Sequence, residues 1–136
     1  QWSRAHEPGR VVLAGAVPHT AVPDYLNVCD LLVAPSRTAA NWEEQFGRVV
    51  IEAAACAVPV VGSSSGHIPK LVEELQSGVI FPERDPDALA EAIAGMLADP
   101  AAAAEMGRGA RMRVEERYGL TAVADRLYEA LSTVVR

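Results

Sequence analysis

Two glutamates are the first residues whose types and spacing could do chemistry. Glu44 and Glu52 stand eight positions apart in "EEQFGRVVIEAAACAVPVVGSSSG", residues 43–66, with Phe46-Gly47 between them. Each carboxylate accepts two or more hydrogen bonds, which suits the paired hydroxyls of a ribose or hexose edge. The segment after Gly47 is rich in alanine and reads as a buried helix over 47–57. Its first turn would offer free backbone N–H groups and the positive end of the helix dipole, a combination that favours a phosphate. Gly47 would let a ligand approach the backbone closely. Glu44 would precede this helix start, and Glu52 would lie roughly 7–8 Å along the axis at about 1.5 Å per residue. A ligand with sugar at both ends and phosphate in the middle fits that layout. The plainer alternative is a loop glutamate and a glutamate on a solvated helix face. Glu52 weighs against it, because its neighbours are Val50, Ile51, Ala53, Ala54 and Ala55 and a charge there is costly without a partner.

Other reactive types read more simply. Cys29 and Cys56 lack C-x-x-C spacing and a histidine at ligand spacing, so both are expected to be small buried apolar residues in a reducing compartment. "DPD" at 85–87 imitates a metal-binding D-x-D, but Pro86 at a helix start makes Asp85 a cap. Ser63-Ser64-Ser65-Gly66 is not G-x-S-x-G and lacks a paired base. Arg108, Arg111, Arg113 and Arg117 alternate with Glu105, Glu115 and Glu116 and read as a solvated face. His67 is first a loop-surface histidine and only second a general base. Trp42 lines a sugar pocket or pins its own loop.

The elements that must hold these residues can be traced along the chain. Half of the 136 residues are apolar, enough for a domain-sized core, and no apolar run approaches the roughly 20 residues of a membrane helix. The net charge of −6 excludes bulk binding to a nucleic-acid backbone. Buried strands are expected at 11–15, 30–34, 59–62 and 79–81. Helices are expected at 24–29, 47–57, 68–78 (closed by Gly78), 85–97 (apolar at 89, 92, 93, 96 and 97, one face), 100–119 (weakened by Gly107 and Gly109) and 120–135. Segment 36–46 is a loop. Short strands alternating with helices imply an α/β fold, a partial Rossmann-like parallel sheet flanked by helices, with a helical C-terminal tail. The division is 1–84 for the α/β part and 85–136 for the tail. The tail's last helix carries Leu120, Val123, Ala124, Leu127, Leu131 and Val134 on one stripe and is expected to pack against something.

The segment "PSRTAANWEEQFGRVVIEAAACAVPVVGSSSGHIPKLV" resembles the donor-binding motif of retaining glycosyltransferases of family 4, which have the GT-B fold. Glu, seven residues, Glu, with Phe-Gly after the first, is that family's pattern. "DLLVAPS" before it and "GVIFPERDPDALAEAI" after it are also similar. The chain departs at Ala57, where the family usually has Gly, at His67, where Gly or Glu is usual, and at Lys70, where an acid is frequent.

The resemblance implies roles residue by residue. Residues 1–136 would be a partial C-terminal nucleotide-sugar-binding domain. Glu52 would bind the ribose hydroxyls. Glu44, the catalytic assignment, would meet hydroxyls of the transferred sugar. Gln45 belongs to the donor-binding set, and the backbone amides of Phe46, Gly47, Arg48 and Val49 would meet the sugar and distal phosphate. The loop from Gly15 to Pro18 would lie by the base. Catalysis in this family retains anomeric configuration through front-face attack, so the two carboxylates are not a double-displacement pair. No cofactor or metal is expected, the nucleotide-sugar donor being the substrate.

The resemblance also implies an N-terminal acceptor-binding domain and the opening part of the donor domain, neither within these residues. Isolated, the chain is expected to be inactive. Its place would be the cytoplasm, with peripheral contact at the inner membrane face through the acceptor domain, in polysaccharide or glycolipid synthesis. The alternatives are a non-catalytic nucleotide-sugar-binding module or inactive remnant, and a structural domain whose tail recruits a partner. With four of six strands accounted for, 30–34, 59–62 and 79–81 should pair in order, and 11–15 should be unpaired or moved to a new neighbour.

Overall fold

The computed structural model describes residues 11–134. Three parallel strands form one sheet in the order β1-β2-β3: β1 is Leu32–Ala34, β2 is Val60–Ser63 and β3 is Gly78–Phe81. The register pairs Val33 with Val61 and Val61 with Val79. Helix α1, Val22–Leu26, precedes β1, α2 (Arg48–Ala55) joins β1 to β2, and α3 (Ile68–Leu75) joins β2 to β3. Helices α4 (Pro86–Ala98), α5 (Pro100–Tyr118) and α6 (Leu120–Val134) follow. The three expected strands therefore pair in the expected order.

The central strand shows why the sheet has helices on both faces. All four residues of β2 are buried, as expected for a strand covered on both sides. Successive side chains point to opposite faces, and Val60 joins a core with Val50, Ala53, Ala54, Leu71, Leu75, Ala110 and Val114. Its neighbour Val61 joins a second core with Phe81 and Met96, backed by Leu89, Ala92 and Ile93. The helical stripe read at 89, 92, 93 and 96 is thus the face that α4 buries. Residue 97 is not part of it, since Leu97 is exposed.

Several expectations fail for identifiable reasons. Residues 11–18 form no strand and Val12 is 84% exposed, so the buried strand expected at 11–15 is absent, whereas its expected lack of a partner in the sheet holds. A short apolar run becomes a strand only when a neighbour satisfies its backbone, and this run pairs with none of the described strands. Gly78 does not close α3. The helix stops at Leu75 because Gln76 takes a left-handed backbone, φ 47°. Gly78 instead opens β3, where an added Cβ would lie 1.7 Å from the carbonyl oxygen of Val60. Gly107 does not merely weaken α5. A Cβ there would lie 2.0 Å from the carbonyl oxygen of Ala57, so the glycine lets the helix rest on the turn before β2. In α6 no described residue is buried and Leu120 is 87% exposed, so its apolar stripe faces outward rather than into the core.

Arg113 also leaves the solvated face assigned to it. Its guanidinium donates to the carbonyl of Leu75 at 3.3 Å and to Gln76 Oε1, capping the C-terminal end of α3, where a cation complements the helix dipole. Arg108 and Arg111 stay in exposed pairs with Glu105 and Glu115. No described helix is long and apolar enough to cross a membrane.

Candidate functional site

The carboxyl ends of the three strands converge on one polar edge, where parallel α/β sheets bind ligands. Loop 35–47 leaves β1, loop 64–67 leaves β2, and residues 82–85 leave β3. Hydrogen bonds stitch these loops together. Ser63 Oγ donates to the carbonyl of Ser36 at 2.7 Å, and Thr38 Oγ1 and Ser65 Oγ share a hydrogen bond of 3.0 Å. Ser64 Oγ accepts from the amide of Glu83 at 2.9 Å. Ser63 and Ser65 are fully buried. The serine run is therefore a seam between loops, which agrees with its failure as a nucleophile motif.

Glu44 lies at the start of α2, as expected. Its Oε1 accepts from the amide of Gly47 at 2.9 Å and, at a longer 3.4 Å, from that of Phe46. Two amides expected to face a donor thus point to Glu44 itself. The first amides of a helix have no acceptor within it, and this carboxylate answers one of them while Oε2 is left for other partners. Gly47 is needed for reasons beyond ligand approach. It takes a left-handed backbone, φ 55°, and a Cβ there would meet Leu71 Cδ1 at 2.7 Å.

Glu52 sits one and a half turns into α2 with its side chain 30% exposed. Its partner is Arg48, whose Nη2 lies 3.7 Å from Glu52 Oε1. This is a loose pair between partly exposed groups, worth little to stability. The two carboxylates therefore stand at different depths, Glu44 in the loop just before α2 and Glu52 within the helix. A cavity of about 540 Å³ opens beside Glu44, lined by Thr38 through Phe46, and Trp42 and Phe46 flank it, exposed. Gln45 lines the same cavity, while Arg48 and Val49 are exposed on the first turn of α2.

Gly66 and His67 bind the glutamate loop from the other side. The amide of His67 donates to the carbonyl of Glu44 at 2.9 Å, and Gly66, at φ 55°, packs against the same carbonyl. His67 is the N-terminal flanking residue of α3 and is half-buried. This link between positions 44 and 67 carried no signal in the sequence, because it runs through backbone atoms. Asp85 is the helix cap that Pro86 suggested, its Oδ1 accepting from the amide of Ala88 at 2.9 Å. The Gly15–Pro18 segment lies in the run without regular structure and has no buried residue.

A sequence model described as "Glycosyl transferases group 1" matches residues 2–113. The chain is 35% identical over 124 residues to a GDP-mannose-dependent alpha-(1-6)-phosphatidylinositol monomannoside mannosyltransferase of Mycolicibacterium smegmatis, covering 90% of this chain and 32% of that protein. It is 37% identical over 110 residues to a glycogen synthase of Mycobacterium tuberculosis, covering 81% of this chain and 25% of that protein. Among solved structures, a sucrose-phosphate synthase from Thermosynechococcus elongatus superposes with a TM-score of 0.83 at 32% identity, over 98% of this chain and 33% of that one. HepE from Anabaena, solved in complex with UDP, superposes with a TM-score of 0.73 at 28% identity, over 82% of this chain and 30% of that one. The chain spans a quarter to a third of the length of these proteins.

Proposed function

The chain belongs to the glycosyl transferases group 1 family, and on that premise we propose that it is the donor-binding part of a retaining glycosyltransferase acting on a nucleotide-sugar. One observation carries this reading: the Glu44 carboxylate is held on the amide of Gly47 at the start of α2, beside the 38–46 cavity, with Glu52 further along the same helix. Relatives named for GDP-mannose and a structural neighbour bound to UDP supply the ligand class.

In this reading Glu52 accepts from the ribose hydroxyls. The exposed first turn of α2, with the amides of Arg48 and Val49, faces the distal phosphate and the sugar, while the amides of Phe46 and Gly47 hold Glu44 and Gln45 lies beside them in the cavity wall. Glu44 orients the sugar through Oε2 while Oε1 stays on Gly47. That division suits a carboxylate, which has lone pairs on both oxygens. The acceptor hydroxyl attacks the anomeric carbon on the face the phosphate leaves, and its proton passes to the departing phosphate. Configuration is retained without a glycosyl-enzyme bond, so Glu44 is an orienting group and not a nucleophile. The reading assigns no metal, and Asp85 is already committed to a helix cap.

The acceptor site belongs to a domain elsewhere in the full-length protein, consistent with the larger size of the relatives. That domain would also supply peripheral membrane contact from the cytoplasm in polysaccharide or glycolipid synthesis. Glu52→Ala in the full-length protein is the direct test. It should weaken nucleotide-sugar binding about tenfold or more, as expected when a charged hydrogen-bond acceptor is lost. Unchanged affinity would remove the ribose assignment. Turnover with the anomeric configuration followed by NMR separates a transferase from a binding module, and sugar transfer by the isolated chain would overturn its assignment as a partial site.

A further inference from the structure

We infer that Glu83 and Arg84 are positioning residues that clamp Thr38 and so hold the wall of the sugar pocket. The inference rests on the donor-binding reading above and extends it to the turn after β3.

Thr38 is the first residue of the cavity wall, and both of its backbone polar groups are gripped from one place. Its amide donates to Glu83 Oε2 at 2.6 Å, and its carbonyl accepts from Arg84 Nη2 at 2.8 Å. Hydrogen bonds with an ionised partner are the shorter and stronger kind. The grip is itself anchored, because the amide of Glu83 donates to Ser64 Oγ and Thr38 Oγ1 shares a hydrogen bond with Ser65. Three strand-end loops therefore meet at Thr38.

The backbone at Arg84, like that at Ala57 and Gln76, is left-handed. It has φ 67°, a left-handed conformation that L side chains rarely adopt and that glycine adopts freely. Such a residue persists where its surroundings over-determine it, most often at functional sites. Here an arginine stands where conformation alone favours glycine, and its guanidinium reaches the carbonyl of a residue 46 positions earlier.

The mechanical consequence follows from the loop's two anchors. One end is Thr38, fixed by Glu83 and Arg84. The other is Glu44, fixed by His67. Between them Ala39 and Trp42 exchange backbone hydrogen bonds of 2.8 and 3.2 Å, while residues 39–43 are otherwise exposed. Releasing Thr38 frees the wall that faces the sugar and leaves Glu52, on its own helix, in place. Loss of the clamp should therefore weaken binding of the sugar part of a donor more than binding of its nucleotide.

The test compares Arg84→Gly, Arg84→Lys and Glu83→Ala with wild type in the full-length protein. UDP-, GDP- and ADP-sugars and the matching free nucleoside diphosphates are the probes, and the donor that binds wild type best is carried forward. Arg84→Gly removes both the strained backbone and the guanidinium. Its thermal midpoint should hold or rise, while donor affinity falls about tenfold because the freed wall must be ordered on binding, and free-diphosphate affinity changes less than about twofold. Amide exchange at Ala39 and Trp42 should accelerate. Glu83→Ala should match it in binding and exchange, and Arg84→Lys, which keeps a cationic donor, should recover part of both. Wild-type exchange at Ala39 and Trp42 together with wild-type donor affinity in Arg84→Gly would overturn the clamp. If wild type binds no nucleotide-sugar, the donor-binding reading fails, and the exchange rates still decide whether Glu83 and Arg84 hold the loop.

Discussion

The carbonyl oxygen of Glu44 accepts a hydrogen bond from the amide of His67 at 2.9 Å, and Gly66 lies directly against that carbonyl. A Cβ at Gly66 would stand 2.0 Å from it, and the glycine is at φ 55°. Backbone cannot yield as a flexible side chain can. Gly66→Ala should therefore cost roughly 2–4 kcal/mol of stability, measured by urea denaturation. The displaced carbonyl should carry the Glu44 carboxylate off the amide of Gly47. Nucleotide-sugar affinity of the full-length protein, measured where the variant is still folded, should fall as well.

Ala57 shows the opposite case, a side chain where a glycine belongs. It takes φ 59° in the turn between α2 and β2, a conformation that costs an L residue roughly 1–2 kcal/mol. Glycine would lose about 0.4–1 kcal/mol through the entropy of the unfolded chain. Ala57→Gly should therefore be stabilising by about 0.5–1 kcal/mol, raising the thermal midpoint by about 2–5 °C in a calorimetric scan.

Much of this architecture is legible in the sequence, and the failures share a cause. Periodicity found β1, β2, β3 and the buried face of α4, because burial on a strand or helix leaves a local pattern. Pro86 after Asp85 announced a cap, because capping is local chemistry. Glu44 could be placed at a helix start from Gly47 and the alanine run. The 11–15 segment misled because its apolar pattern states a wish to be paired, not the presence of a partner. Gly78 and Gly107 misled because their reasons are backbone atoms of Val60 and Ala57, distant in sequence. The links from Glu44 to His67 and from Thr38 to Glu83 are contacts between backbone and loops, and no residue type advertises them.

Two glycines on neighbouring helices turn that lesson into opposite predictions. By helix propensity alone, Gly→Ala in a helix interior gains about 1 kcal/mol. Gly95 in α4 has no atom within 4 Å of an added Cβ, so Gly95→Ala should be stabilising by about 0.5–1 kcal/mol. Gly107 in α5 lies on the carbonyl of Ala57, with Pro59 Cδ 3.3 Å from the same Cβ. Gly107→Ala should push α5 off the sheet and cost about 2 kcal/mol or more. Denaturant midpoints of the two variants moving in the same direction would contradict this packing.

The two free thiols offer a probe of the charge on Glu52. Contrary to the burial expected of both, Cys29, just after α1, is exposed, its thiol donating to the carbonyl of Tyr25, and Cys56 is only half-buried. Burial raises the Cys56 pKa above its ordinary value, Arg111 opposes that, and Glu52 adds to it. Because the thiolate is the reactive form, a raised pKa means less thiolate at pH 8, and Cys56 should label with a disulfide reagent more slowly than Cys29. Removing the negative charge in Glu52→Gln should lower the Cys56 pKa and speed its labelling, whereas Arg111→Ala should raise the pKa and slow it. Cys29 gives the internal reference, since a general loosening of the fold would accelerate Cys56 in both variants. Opposite changes at Cys56 with a steady rate at Cys29 would therefore report local electrostatics at Glu52. Equal acceleration in both variants would show that the thiol senses unfolding instead.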